Sequence, residues 1–204
     1  MATIYALKPG FQRLLRPTVR RIAAAGVTAN AVTVAAMLLS LGWGAVLAAA
    51  GATPVALLGL PIVLALRMAL NAADGMLARE HGQASPLGFY LNELGDIISD
   101  AALYLPLMLA LAPGSALLGG ATAVLIALTE AAGLAARANG GSRRYDGPFG
   151  KSDRAVFFSA LAIAAALIAL PAWATVAAIA AALVLSAITV ANRVRAGLRE
   201  ARHG

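Results

Sequence analysis

The chain has 204 residues, 61% of them hydrophobic and 12% charged, with a formal net charge of +7 and no cysteine. A mean hydropathy of +0.82 excludes an ordinary water-soluble globule, and the lack of cysteine excludes disulfides, thiol nucleophiles and Cys-ligated metals. No pattern resembles a soluble nucleic-acid module, so the basic balance points to lipid headgroups and phosphates rather than to nucleic acid.

Residues 1–28 carry Lys8, Arg13, Arg16, Arg20 and Arg21 without a continuous apolar core. A cleaved signal peptide is not expected there, and the spans themselves would direct insertion. Phe11, Leu14, Leu15, Val19 and Ile22 fall near one helical face, with the arginines largely opposite. This predicts a helix lying in the headgroup layer, bent or divided at Pro17; a solvated basic arm is the alternative.

Six apolar runs follow, at about 31–51, 55–73, 86–111, 116–136, 155–170 and 173–191, the second interrupted by Arg67 and the fourth by Glu130. The expected fold is an all-α integral membrane protein with six transmembrane helices preceded by an amphipathic juxtamembrane helix. Its divisions are a cytoplasmic amphipathic segment at 1–28, a six-helix transmembrane domain at 29–197 and a basic cytoplasmic tail at 198–204. The connections at 51–54, 112–115 and 171–172 are short and uncharged, whereas the N-terminal segment, 79–85, 137–154 and the tail hold nearly all the Lys and Arg. The positive-inside rule then puts both termini and the basic loops on the cytoplasmic side of a bacterial-type inner membrane. Trp43 and Trp173 are expected near the outer interface, and the Ala- and Gly-rich spans permit close packing without specifying which helices touch.

Residues 71–100, NAADGMLAREHGQASPLGFYLNELGDIISD, gather acidic groups where lipid makes them costly. Asn71 and Asp74 are three apart and share a helical face, with Arg67 a turn earlier and Ala78 and Arg79 continuing the stripe. Gly88, Asn92, Asp96 and Asp100 recur every four residues on the next helix. A hairpin across EHGQASP brings the two stripes together near the cytoplasmic surface, presenting the oxygen donors that a hard divalent cation takes. Gly75 and Gly88 leave room for close approach of a ligand, and Arg79 suits a phosphate. The alternative is that Arg67, Asp74, Glu93, Asp96 and Asp100 only neutralise one another inside a bundle.

Asp74, Gly75, Ala78, Arg79, Gly88 and Asp96 stand in register with the pattern D-x2-D-G-x2-A-R-x8-G-x3-D-x3-D. On these residues the chain resembles the CDP-alcohol phosphatidyltransferases. The six spans and the amphipathic first helix fit the same family. TANAVT at 28–33 resembles its P-N-x-x-T, with Ala29 in place of Pro. Asn30 is also expected to cap the helix that begins there.

The resemblance implies a phospholipid-synthesis transferase that passes a phosphatidyl group from a CDP-linked lipid, such as CDP-diacylglycerol, to an alcohol acceptor with release of CMP. It implies a requirement for Mg2+ or Mn2+, and a homodimer. Gly75, Ala78, Arg79 and Gly88 would line the CDP site; Asn71, Asp74, Asn92 and Asp96 stand at the metal-ligand positions, and Asp96 is also the implied general base. Asn71 and Asn92 replace the first and third aspartates of the pattern. The site charge falls from about −4 to about −2, which balances one divalent ion rather than two. The substitutions also admit a CDP-lipid hydrolase or a non-catalytic nucleotide- or lipid-binding membrane protein. Glu93 and Asp100 are the acids nearest to hand for compensation, although Glu93 is turned about 100° from Asn92.

On the same face, RANGGSRRYDGPFGKSDRA at 137–155 joins the fourth and fifth spans. Arg143 and Arg144 suit either a phosphate or an anchor to anionic lipid. Lys151 and Arg154 are the stronger phosphate candidates, since they sit at a helix N-terminus. Glu130 is expected to pair with Arg67, and His81 and His203 to face solvent. A transporter is disfavoured, because the outer halves of the spans carry almost no polar groups.

Overall fold

The structure is a computed structural model and describes residues 8–202; His203 of the tail lies outside the described residues. Its helices are α1 (Lys8–Ala24), α2 (Ala29–Ala50), α3 (Pro54–Glu80), α4 (Pro86–Leu111), α5 (Ala116–Ala138), α6 (Lys151–Leu167) and α7 (Ala172–Ala201). No strand occurs among the described residues.

Five of them, α2, α3, α4, α5 with the short 3-10 turn before it, and α7, are long and apolar enough to cross a membrane. The sixth expected span is α6. It has 17 residues, at the lower limit of about 17–25 for a crossing helix. It runs Lys151–Leu167 rather than 155–170. Asp153 accepts the Gly150 backbone N–H at 3.0 Å, so the helix starts four residues before the apolar run. It stops where Ile168 turns extended. At the far end α7 continues to Ala201, carrying the expected span into the basic tail as one helix.

Local chemistry fixes the helix ends. Thr28 caps α2, its hydroxyl accepting the Ala31 N–H at 3.2 Å. Asn30 is therefore not the cap; it lies inside the first turn and points toward α4. Ser85 caps α4 by accepting the Gly88 N–H at 3.0 Å, with Pro86 in the first turn, where its missing N–H costs nothing. Gly82 at φ 67° reverses the chain between α3 and α4.

Helix α4 contacts α2 and α5, α3 lies between α2 and α6, and α5 packs along α7. Ala36, Ser40 and Gly44 form the small buried seam of α2. A Cβ on Gly44 would overlap the Ala102 carbonyl group, so this seam sets how closely α2 and α4 approach. Trp43 fills the α2–α3 junction, donating from its indole nitrogen to the Ala56 carbonyl at 3.2 Å and covering Gly59. Tyr104 stacks on Phe158 at 4.3 Å at the centre of the main core. Against α3, α1 buries Val19 and packs Leu15 and Ile22 onto Ala73, Met76 and Leu77. Leu14 on the same helix is 75% exposed. The apolar face of α1 is thus divided: one edge grips the bundle and the other projects outward.

Candidate active site

The α3–α4 hairpin does bring the two polar stripes together. Asn71 donates from Nδ2 to Asp96 Oδ1 at 3.3 Å. Arg67 reaches the same carboxylate oxygen at 3.4 Å and the Asp96 backbone carbonyl at 3.1 Å. Lys151, the first residue of α6, pairs with Oδ1 as well. All three donors act on one oxygen, which leaves Oδ2 of Asp96 without a hydrogen-bond partner among the described residues. Asp74 is buried and accepts the Thr33 hydroxyl at 2.8 Å.

The remaining motif residues are placed as follows. Arg79 is exposed and folds back over Gly75; a Cβ there would come within 2.9 Å of its Nη2. A Cβ on Gly88 would meet Asn30 Oδ1 at 2.7 Å, so Gly88 is the position that admits the Asn30 amide. Asn92 is half-buried one turn before Asp96 and makes no side-chain hydrogen bond among the described residues. Ala78 packs toward the α1–α3 cluster. Among the described residues no three Asp, Glu, His or Cys side chains converge as a metal site, because two of the four motif positions are amides.

Behind this cluster lies a buried charge network. Arg67 donates to Asp100 Oδ1 at 2.5 Å. Arg154, with no exposed surface, donates to Asp100 Oδ2 at 2.8 and 3.0 Å. It also reaches Glu130 at 2.8 Å, Thr129 at 3.0 Å and the Phe149 carbonyl at 3.1 Å. Arg193 from α7 pairs with Glu130 at 3.3 Å and with the Thr129 carbonyl. Arg143 lies 2.6 Å from Glu93 and 3.1 Å from Glu130. Burial opposes the charge on Arg143, but Glu93, Tyr145 and Glu130 outweigh it and hold its pKa above the usual arginine range. Removing any one charge would leave another unpaired in a dry interior.

This network corrects two expectations. Glu130 does not pair with Arg67: it faces Arg154, Arg193 and Arg143, while Arg67 faces Asp100 and Asp96. The reason is that α3 borders α2 and α6 whereas α5 borders α4 and α7. Glu93 and Asp100 do not make good the missing aspartates, because arginines already hold both. Of the proposed phosphate ligands, Lys151 reaches the motif cluster, whereas Arg154 is directed inward with its donors engaged. Arg144 is pinned by Asp146 at 2.9 Å and by Glu200 at 3.3 Å.

A groove of about 630 Å³ opens between Arg143–Pro148 and the α7 residues Ile188 and Asn192. Next to it the Thr189 hydroxyl of α7 accepts the Phe149 N–H at 3.0 Å, tying the loop to that helix. Three contributors were not singled out from the sequence: Thr33, Arg193 and Gln83, whose side-chain oxygen accepts the Ala29 N–H at 2.6 Å. Thr33 carried a signal, as the last residue of TANAVT; the other two are brought in only by packing.

Residues 26–191 match the sequence profile of the CDP-alcohol phosphatidyltransferase family. Over 165 residues the chain is 52% identical to the inner membrane protein YnbA of Escherichia coli strain K12, covering 81% of each. The fold is similar to crystal structures of Mycobacterium tuberculosis phosphatidylinositol phosphate synthase PgsA1. With the form that has CDP-DAG bound, the TM-score is 0.71 at 20% identity, covering 93% of this chain and 94% of that one. With the form in complex with manganese and citrate it is 0.73 at 21% identity, covering 89% and 88%. A profile that spans most of the chain, a motif in register and a shared helical fold lead to one assignment: the chain belongs to the CDP-alcohol phosphatidyltransferase family.

Proposed function

We propose that this protein transfers a phosphatidyl group from a CDP-linked lipid to an alcohol, releasing CMP, at the cytoplasmic face of a bacterial inner membrane. The observation that carries the reading is the meeting of Asp96 with Asn71 and Lys151 from three helices, beside a motif that is otherwise in register. The nucleotide would lie along Gly75, Arg79 and Gly88, with Arg79 on a phosphate. The acceptor oxygen bonds to the phosphorus that carries the lipid, and the bond from that phosphorus to the bridging oxygen of CMP breaks. The acceptor proton passes to the Asp96 carboxylate.

The donor set fits one hard cation: the Asp74 carboxylate, the Asp96 Oδ2 and the amide oxygen of Asn71, whose nitrogen already points at Asp96. When bound, such an ion neutralises the pyrophosphate and the charge that develops on the leaving CMP.

The test is incubation of purified protein with CDP-diacylglycerol, Mg2+ or Mn2+ and a panel of alcohols, scoring CMP and new lipid by mass. Transfer yields CMP and a lipid heavier by the acceptor. Phosphatidic acid with CMP and no dependence on alcohol would make the protein a hydrolase, with water as acceptor. Absence of CMP under every condition would overturn both.

A further inference from the structure

We propose that Lys151 is a built-in cation that stands in for one of two divalent ions, so that the site holds a single metal. The inference rests on the reading above only in placing the metal at the motif.

Two observations on different helices point to it. On α3 and α4, amides stand at two of the four carboxylate positions, and no third acid replaces them, since Glu93 and Asp100 are paired with arginines. On α6, the Lys151 ammonium sits on the Asp96 carboxylate. With Oδ1 held by the ammonium, only Oδ2 of Asp96 is left for a metal, so this carboxylate cannot bridge two ions. Like charges compete there, and the ammonium is covalently attached and always present.

The placement of Lys151 is built in. Lys151 and Arg154 are one turn apart on α6; Asp96 and Asp100 are one turn apart on α4. They pair rung for rung, Lys151 with Asp96 and Arg154 with Asp100. Arg67 from α3 bridges both rungs. Arg154 is fully buried, so the inner rung fixes the register of α6 and delivers the ammonium to the outer one. Arg154 thus acts as a positioning residue for Lys151. The charges agree: Asp74, Glu93, Asp96, Asp100 and Glu130 are matched by Arg67, Arg143, Lys151, Arg154 and Arg193, so one divalent ion would already leave an excess of about +2 for the donor phosphates and a second would double it.

Binding of Mn2+ to the detergent-solubilised full chain without donor, counted from the electron paramagnetic resonance of free Mn2+, tests this without turnover. The wild type is expected to take one ion per chain. Asn92→Asp restores a carboxylate but keeps Lys151, and should still take one. Asn92→Asp with Lys151→Ala should take two, and Lys151→Ala alone should tighten the first ion about tenfold through loss of a neighbouring positive charge. Asn92→Asp with Lys151→Arg, which keeps the charge, should remain at one.

Zero or two ions in the wild type overturns the inference, as does a second tight ion in Asn92→Asp. Neither measurement requires the Lys151→Ala chain to fold. If the wild type binds one ion yet releases no CMP, the proposed transfer fails and the single-metal site stands. If CMP is released and two ions bind, the reverse holds.

Discussion

The side-chain oxygen of Gln83 accepts the backbone N–H of Ala29 at 2.6 Å, tying the α3–α4 turn to the first turn of α2. First-turn N–H groups have no partner inside a helix. A Pro at position 29, as in the family pattern, has no N–H to satisfy, so Ala29 needs a partner that Pro would not, and Gln83 supplies it. Gln83→Ala should lower stability by about 1–3 kcal/mol, since Ala29 is buried and its N–H would be left unpaired. Ala29→Pro alone should also destabilise, because the ring would crowd the Gln83 oxygen. Combined, the two changes should cost less than their sum. Thermal unfolding of the four proteins in one detergent checks this; strict additivity would refute the coupling.

Asp96→Asn retains an oxygen but cannot take a proton from the acceptor. CMP release is expected to fall by at least about 100-fold, the scale of general-base catalysis, with nucleotide affinity falling much less. Turnover and CDP binding are measured separately on the same preparation. Equal turnover in wild type and variant would remove Asp96 from the proton step.

Glu130 is the shared partner of Arg143, Arg154 and Arg193. Glu130→Ala would leave three guanidinium groups near one another in a buried site. A loss on the order of 3–5 kcal/mol is expected, read as a large drop in melting temperature or failure to accumulate in the membrane. A melting temperature within a degree of wild type would show that the network contributes little.

Gly147 has φ 126°, and a Cβ there would lie 2.8 Å from the Thr189 Cα. Gly147→Ala meets both the backbone conformation and an immovable main-chain atom, so about 1–3 kcal/mol of destabilisation is expected. The loop at 139–150 would lift from α7 and lose the Phe149–Thr189 hydrogen bond. Faster amide exchange at Phe149 reports it; unchanged protection there would count against this account of the groove.

Most of the architecture was legible from residue order. Apolar runs separated by Pro, Gly and charge gave the helices of the bundle, because a lipid-facing segment must satisfy its own backbone and helices do so within themselves. The spacing of Asp74 and Asp96 placed both on facing stripes, since helical period alone decides which side chains share a face. The start of α6 and the cap of α2 were misplaced. Each depends on a competition among Gly, Asp, Thr and Asn for a few backbone N–H groups, which hydropathy does not record.

The sequence by itself determined the number and kind of elements, the basic and uncharged alternation of the connections and the motif with its two amides, all properties of composition and local spacing. Only the tertiary structure decided which charges neutralise each other. Glu130 and Arg67 look like partners along the chain, yet each finds others once α5 settles against α7 and α3 against α6. Lys151 meets Asp96 across 55 residues. Ion pairs in a dry interior are set by distances of a few ångströms between helices, and those distances come from how small residues such as Gly44, against α4, and Gly197, against α5, let helices approach.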